Sequence, residues 1–319
     1  MGSGELFYGS NVAISAAGEH CTVYKMKDAA GEGSMTRYRV LPGIDLLYNH
    51  FRTQGCISEF RPEVEMLAID HCREGRIEWN LNPGSCLYLG ERDLQIGTRE
   101  NHAGGFAFPL GHYQGITVAV YMEEALSTLS TALGGLSVDL PGLRDKFCRG
   151  GRIFVMRADE SIQHIFSELY TVPGKIKMDY FKVKVLELLL FLSAVDVPAE
   201  ETERAYIPKK RAEAVKAVMG YLAENLDKRF TTEQLSSRFG IPATSLKECF
   251  KAVYGTSIYA YMRSYRIQAA AALLRQSGDS VASIAAEVGY DNASKFASAF
   301  KALMGASPQE YRKSVVRME

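Results

Sequence analysis

Thr244, Ser245, Lys247 and Glu248 crowd into one short stretch of the chain, and Ser294, Lys295 and Ser298 recur in a second stretch that starts at Ala293. At spacings of three and four, Thr244, Lys247 and Glu248 share one face of a helix, as do Ser294 and Ser298. Hydroxyl, ammonium and carboxylate groups on such a face can exchange hydrogen bonds with the edge of another molecule. None is matched to a general base or a second nucleophile, so the chemistry on offer is recognition, not bond-making. The rest of the chain agrees with that. It holds no GxSxG, P-loop or GxGxxG, and the glycine-rich "HAGGFAFPLG" has the wrong spacing for a phosphate loop. His20, His50, His71, His102, His112 and His164 are scattered, without an HxH or HxxxH pair. No metal site, no cofactor and no enzyme activity are expected.

The elements that position these residues are legible as a duplication. "LSSRFGIPATSLKECFKAVYGTSIYAYMR" from Leu235 aligns with "IAAEVGYDNASKFASAFKALMGASPQEYR" from Ile284. Gly240 matches Gly289. After a one-residue insertion, Leu246, Phe250, Gly255, Ser257 and Tyr261 match Phe296, Phe300, Gly305, Ser307 and Tyr311. Each copy predicts a short helix, a glycine turn and a second helix, giving helix-turn-helix motifs over about 232–254 and 281–304. Thr231 with Gln234, and Ser307 with Glu310, predict capping boxes. The second helices bury Leu246, Cys249, Phe250 and Val253 in one copy, and Phe296, Ala299, Phe300 and Leu303 in the other. Their outer faces carry Thr244, Ser245, Lys247 and Glu248, then Ala293, Ser294, Ala297 and Ser298 flanked by Lys295.

A helix packed on one side only fits the DNA major groove, which is ~12 Å wide. A solvated face with nothing bound is the plainer alternative. Charge favours the groove. The chain is neutral overall, yet residues 208–319 hold 17 Lys and Arg against 10 Asp and Glu, a net +7, and residues 1–207 balance it at −7. The Ala-rich stretch from Arg263 to Ser280 predicts a helix that holds the two motifs at a fixed separation.

These residues resemble the AraC/XylS family of bacterial transcription regulators over about the last 110 residues. The resemblance implies a domain at 209–319 with two recognition helices that meets double-stranded DNA, and RNA polymerase as a partner. It places base contacts on Thr244, Lys247, Glu248, Ser294 and Ser298. It places Lys251 and Lys301, each beside a buried phenylalanine, near the phosphate backbone. The second reader departs from many relatives by carrying short side chains, which cannot make bidentate base contacts. The first motif is therefore expected to supply more of the discrimination. The family layout also implies an N-terminal cupin-like β-barrel that senses a small effector, followed by dimerising helices, so the fold class is α+β and the assembly a homodimer.

Residues 1–196 read accordingly. To about Tyr121 short alternating runs predict strands, among them "VEMLAID" and "RIEWNL", separated by turn signals that include "REG" at 73–75. In the second run Ile77, Trp79 and Leu81 take one face, and Arg76, Glu78 and Asn80 a polar one. From about 123 the pattern turns helical. Met178, Phe181, Val185, Leu188, Leu192 and Val195 make a heptad seam. It reads either as a dimer seam or as a buried core helix. Residues 197–208 read as a linker. Tyr48, His50, Trp79, Tyr88 and His102 are the candidate effector-pocket residues, with Trp79 either stacking on a ligand or simply buried. Cys56, Cys72 and Cys148 keep open a thiol-redox regulator, and a low-specificity architectural DNA-binding protein is the other alternative. No apolar run is long enough to span a bilayer, and a cytoplasmic location is expected.

Overall fold

The computed structural model describes residues 12–26, 31–58, 63–81, 84–100, 104–132, 138–197 and 206–316. The chain divides into two compact units at Lys209/Lys210. The first is built on an antiparallel sheet of strands β1 Val12–Ala17, β2 Cys21–Met26, β3 Glu32–Leu41, β4 Ile44–Arg52, β5 Gly55–Ser58, β6 Met66–Leu81, β7 Ser85–Gly90, β8 Asp93–Gly97, β9 Gly104–Ala107, β10 Tyr113–Tyr121, β11 Phe154–Arg157 and β12 Tyr206–Pro208. Its main path runs β1-β2-β3-β4-β10-β6-β7-β12, with β8 and β9 pairing β6 off that path. The sheet curls, so it has a helix-covered face and a concave face.

Strand parity assigns side chains to those faces. Ile44, Leu46 and Tyr48 of β4, and Ile116, Val118 and Val120 of β10, pack into the core shared with the helices. Leu47, Asn49 and Phe51, with Thr117, Ala119 and Tyr121, point to the concave side. β6 follows the same rule with one interruption. Gly115 of β10 lies opposite Cys72 and Gln114 opposite Glu74, leaving Arg73 as an extra residue. Gly75 follows at φ 82°, where a Cβ would sit 2.2 Å from the His112 carbonyl oxygen. "REG", expected as a turn between two strands, is instead a bulge inside one 16-residue strand. The extra residue flips the phase. Before it, Leu67 and Ile69 face the helices and Asp70 the cavity; after it, Ile77 and Trp79 face inward. The face expected to be polar is covered as well: Glu78 is 1% exposed and accepts a 2.6 Å hydrogen bond from the Tyr88 hydroxyl.

Helices α1 Met122–Ala132, α2 Leu140–Cys148, α3 Glu160–Thr171 and α4 Lys177–Ala194 follow. The stretch expected to be wholly helical also contains β11, which pairs with β8 from Phe154 opposite Ile96 to Arg157 opposite Asp93. The heptad seam on α4 faces inward. Phe181, Val185, Leu188 and Leu192 are fully buried in the core under the sheet, with Met178 and Val195 packed against it. The periodicity of a seam and of a core-facing stripe is the same, and here the core claims it. The apolar side chains left outside on α4 are Val183, Leu190 and Phe191. Buried Lys184 is paired with Glu168 and Glu187, as a buried charge requires. Tyr206–Pro208, read as linker, pair with β7. The Tyr206 hydroxyl also exchanges hydrogen bonds with the Ile153 backbone.

The second unit is helical: α5 Lys209–Glu224, α6 Thr232–Phe239, α7 Ala243–Tyr254, α8 Ile258–Gln276, α9 Val281–Glu287, α10 Ala293–Met304 and α11 Pro308–Val316. Both expected capping boxes form, Thr231 with Gln234 and Ser307 with Glu310. α8 is continuous for 19 residues, about 28 Å at 1.5 Å per residue.

Candidate nucleic-acid interface and sensor cavity

The duplication seen in the sequence is a duplication of contacts. Gly240 and Gly289 turn with φ 63° and 80°. The residue after each donates to an equivalent carbonyl: Ile241 to Ser236 at 3.1 Å, and Tyr290 to Ala285 at 2.8 Å. Phe250 meets Tyr261 at 5.7 Å and 75°, and Phe300 meets Tyr311 at 5.4 Å and 74°. These edge-on clasps fasten the second helix of each motif to the helix that follows it. The inner faces are buried as expected, with one correction. Val253 is buried, but its counterpart Leu303 is 45% exposed. Met304, the counterpart of Tyr254, does pack on the core.

The outer faces remain open. Thr244, Lys247, Glu248 and Lys251 are exposed on α7, and Ser245 is half-buried with its hydroxyl 3.9 Å from the Cys249 sulfur. Ser294, Lys295, Ser298 and Lys301 are exposed on α10. Asn292 caps that helix by accepting from the Lys295 amide, and the inserted residue is Asp291 just before it. Between the motifs lies a groove whose lining includes Arg229, Arg263, Arg266 and Lys295. Arg266 is committed to structure: it donates to the carbonyls of Leu226 at 3.0 Å and Lys228 at 2.6 Å. Arg229 and Arg263 are exposed cations that motif matching passed over, because they sit outside both recognition helices. The run "DKRF" and the start of the bridging helix were their only signals.

The concave side of the first unit holds a half-open cavity of 130 Å³. Of the five candidate pocket residues, Trp79 lines it. Tyr48 lies on the opposite face of β4, where its hydroxyl donates to the Leu169 carbonyl at 2.6 Å. His50 shares that parity and is exposed, Tyr88 is bound to Glu78, and His102 lies outside the described residues. What lines the cavity instead is an apolar wall and a polar end that sequence reading missed. Arg99 donates to both oxygens of Asp70 at 2.5 Å, and Thr117 donates to Asp70 at 2.7 Å. Asn49 donates to Thr117 at 2.9 Å, and Gln95 reaches Asp70 at 3.3 Å. Three of the thiols matter for the redox alternative. Cys56, Cys72 and Cys148 are buried. Burial pushes the Cys72 thiol far above its ordinary range and that of Cys148 up to about 12, so neither offers a reactive thiolate at neutral pH.

Among the described residues no helix is long and apolar enough to cross a membrane. A helix-turn-helix domain family matches residues 235–314. The raffinose operon transcriptional regulatory protein RafR of Pediococcus pentosaceus is 32% identical over 158 residues, 48% of this chain and 56% of that protein. The transcriptional activator RhaR of Yersinia pestis is 27% identical over 143 residues, 44% of this chain and 49% of that one. The chain thus spans about half the length of the curated relatives it matches. The C-terminal domain of the response regulator AraT of Geobacillus stearothermophilus, 28% identical, covers 32% of this chain and 84% of its own, with a TM-score of 0.31. The doubled motif, the domain match across it and the two regulators aligned with the chain agree: residues 235–314 form a helix-turn-helix domain of the AraC type.

Proposed function

We propose that the protein is a sequence-specific DNA-binding transcription regulator, an activator that acts as a homodimer and answers to a small molecule held in the cavity of its first unit. The observation that carries this reading is the pair of open polar faces, Thr244–Glu248 and Ser294–Ser298, on one duplicated scaffold in a +7 segment. Lys247 reads a base, with Thr244 and Glu248 beside it, while Lys251 and Lys301 neutralise phosphates. Lys247→Ala is expected to cost about 1–3 kcal/mol of discrimination at one base position, measured as relative affinities for a library of point-substituted sites. Lys301→Ala is expected to weaken all sites alike and lower the salt slope by about one. An unchanged base preference in Lys247→Ala would contradict the first assignment. Uniform footprint protection along any duplex would leave only an architectural role. RNA polymerase is the partner an activator requires.

Dimerisation is assigned to the outer face of α4, since its seam is used internally. Val183, Leu190 and Phe191 are 59%, 40% and 39% exposed there. The double variant Val183→Asp/Leu190→Asp is expected to sediment as a folded monomer and to bind a paired half-site at least tenfold more weakly. A dimer of unchanged stability would move the interface elsewhere. The burial of Cys72 and Cys148 weighs against thiol control.

A further inference from the structure

We infer that the cavity of the first unit takes a neutral, mainly apolar compound about the size of one ring, with a single hydrogen-bonding group, and that it takes neither a sugar nor a free acid or amine. The inference rests on the effector reading above and narrows it to a chemical class.

Size comes first. A dry apolar cavity of about 150 Å³ accepts benzene, and this one is 130 Å³. The wall decides the body of the ligand. Met35, Leu47, Phe51, Ile77, Trp79 and Phe106 present carbon and sulfur surface from four strands. A sugar carries a hydroxyl on nearly every carbon, and each one stripped of water needs a partner. The wall offers almost none.

The polar end decides the charge. Arg99 and Asp70 lie together in the cavity lining, their side chains only 9% and 4% exposed. Each already neutralises the other. Asp70 also receives Thr117 and Gln95, so its acceptor capacity is spent inside the protein. An incoming carboxylate or ammonium would add a charge beside a pair that is already neutral, with no counter-charge of its own. Either addition leaves one buried charge unpaired. Polar capacity is left on Asn49, whose amide uses one N–H on Thr117 and has a carbonyl and a second N–H besides. The indole N–H of Trp79, another lining residue, is buried without a hydrogen-bond partner. A hydrogen-bonding group on the ligand answers the free positions of Asn49. One hydroxyl or carbonyl on an apolar ring is therefore the complement of this end.

Trp79 is the only tryptophan in the chain, so tryptophan emission reports on the surroundings of this one lining residue. The full-length protein is titrated with benzyl alcohol, benzoate, benzylamine and raffinose under selective tryptophan excitation. Benzyl alcohol is expected to shift the emission with at least tenfold higher affinity than benzoate or benzylamine, and raffinose to leave it unchanged. Asn49→Ala is expected to weaken benzyl alcohol at least fivefold. Ala119→Leu, which narrows the cavity, is expected to abolish the response, with folding of both variants checked by a cooperative melt. Equal or tighter binding of a charged probe or of raffinose overturns the ligand class. So does an absence of response to all four, and wild-type affinity in both variants overturns the site. The affinity of the same samples for a selected DNA site is read in parallel. If benzyl alcohol binds as expected but leaves DNA affinity untouched, the ligand class stands and effector control of DNA binding falls.

Discussion

Arg99→Leu is expected to lower the stability of the first unit by about 3–5 kcal/mol, because it leaves the Asp70 carboxylate buried without a counter-charge. Thr117 and Gln95 would still donate to it, but they bring no charge. The companion test is Arg99→Leu/Asp70→Leu. With both charges gone nothing is stranded, and most of the lost stability is expected to return. Denaturant unfolding followed by Trp79 emission reports on this unit alone, since the tryptophan lies within it. A single variant that loses less than about 1 kcal/mol would mean that Asp70 reaches water or finds another cation. That outcome would also remove the charge argument made for the cavity.

Acid is expected to weaken the same unit through His71. Its ring lies flat on Phe166, with centroids 4.2 Å apart and planes 7° from parallel, and is 3% exposed. Burial depresses its pKa from 6.5 to about 4; the nearby Gln163 side chain opposes that shift, yet neither ring nitrogen has a partner in hydrogen-bonding geometry. The folded state thus keeps His71 neutral while the unfolded chain binds a proton. Above pH 6.5 both states are neutral and the full stability is present. As pH falls from 6.5 towards 4 the unfolded state gains the proton first, and stability drops. At 1.36 kcal/mol per pH unit the loss is about 3 kcal/mol, complete near pH 4. His71→Phe keeps a ring on Phe166 and cannot titrate. The difference between the two proteins' stability curves from pH 7 to pH 4 should therefore show that loss. Parallel curves would place the acid sensitivity elsewhere.

The second unit was more legible in the sequence than the first, and the reason is range. Capping boxes span three residues, and the glycine turns and phenylalanine clasps recur at offsets that differ by the one inserted residue, so one copy checks the other. Leu303 shows where local pattern stops: position 253 predicts burial, yet Leu303 is exposed. In the sheet, a count of one decides everything. Tyr48 and His50 drew attention as aromatic and titratable, yet they sit one step out of phase with the cavity-facing Asn49. Trp79 is in phase only because of the bulge, and "REG" carries the same composition as a turn. Asp70 and Arg99 lie 29 positions apart, joined by pairing that no local rule supplies. The α4 seam left two readings open for a different reason, since its spacing is equally that of a helix lying on a core, and burial decides for the core.

The two halves of the second unit share their clasps and turns but not their outward residues: Thr244, Lys247 and Glu248 on one, Ser294 and Ser298 with alanines on the other. Such a tandem is not its own mirror image. A sequence that satisfied both halves would have a head and a tail, and turning the protein end for end upon it would put each hand in the other's glove. One copy of the chain would then carry polarity along the double helix.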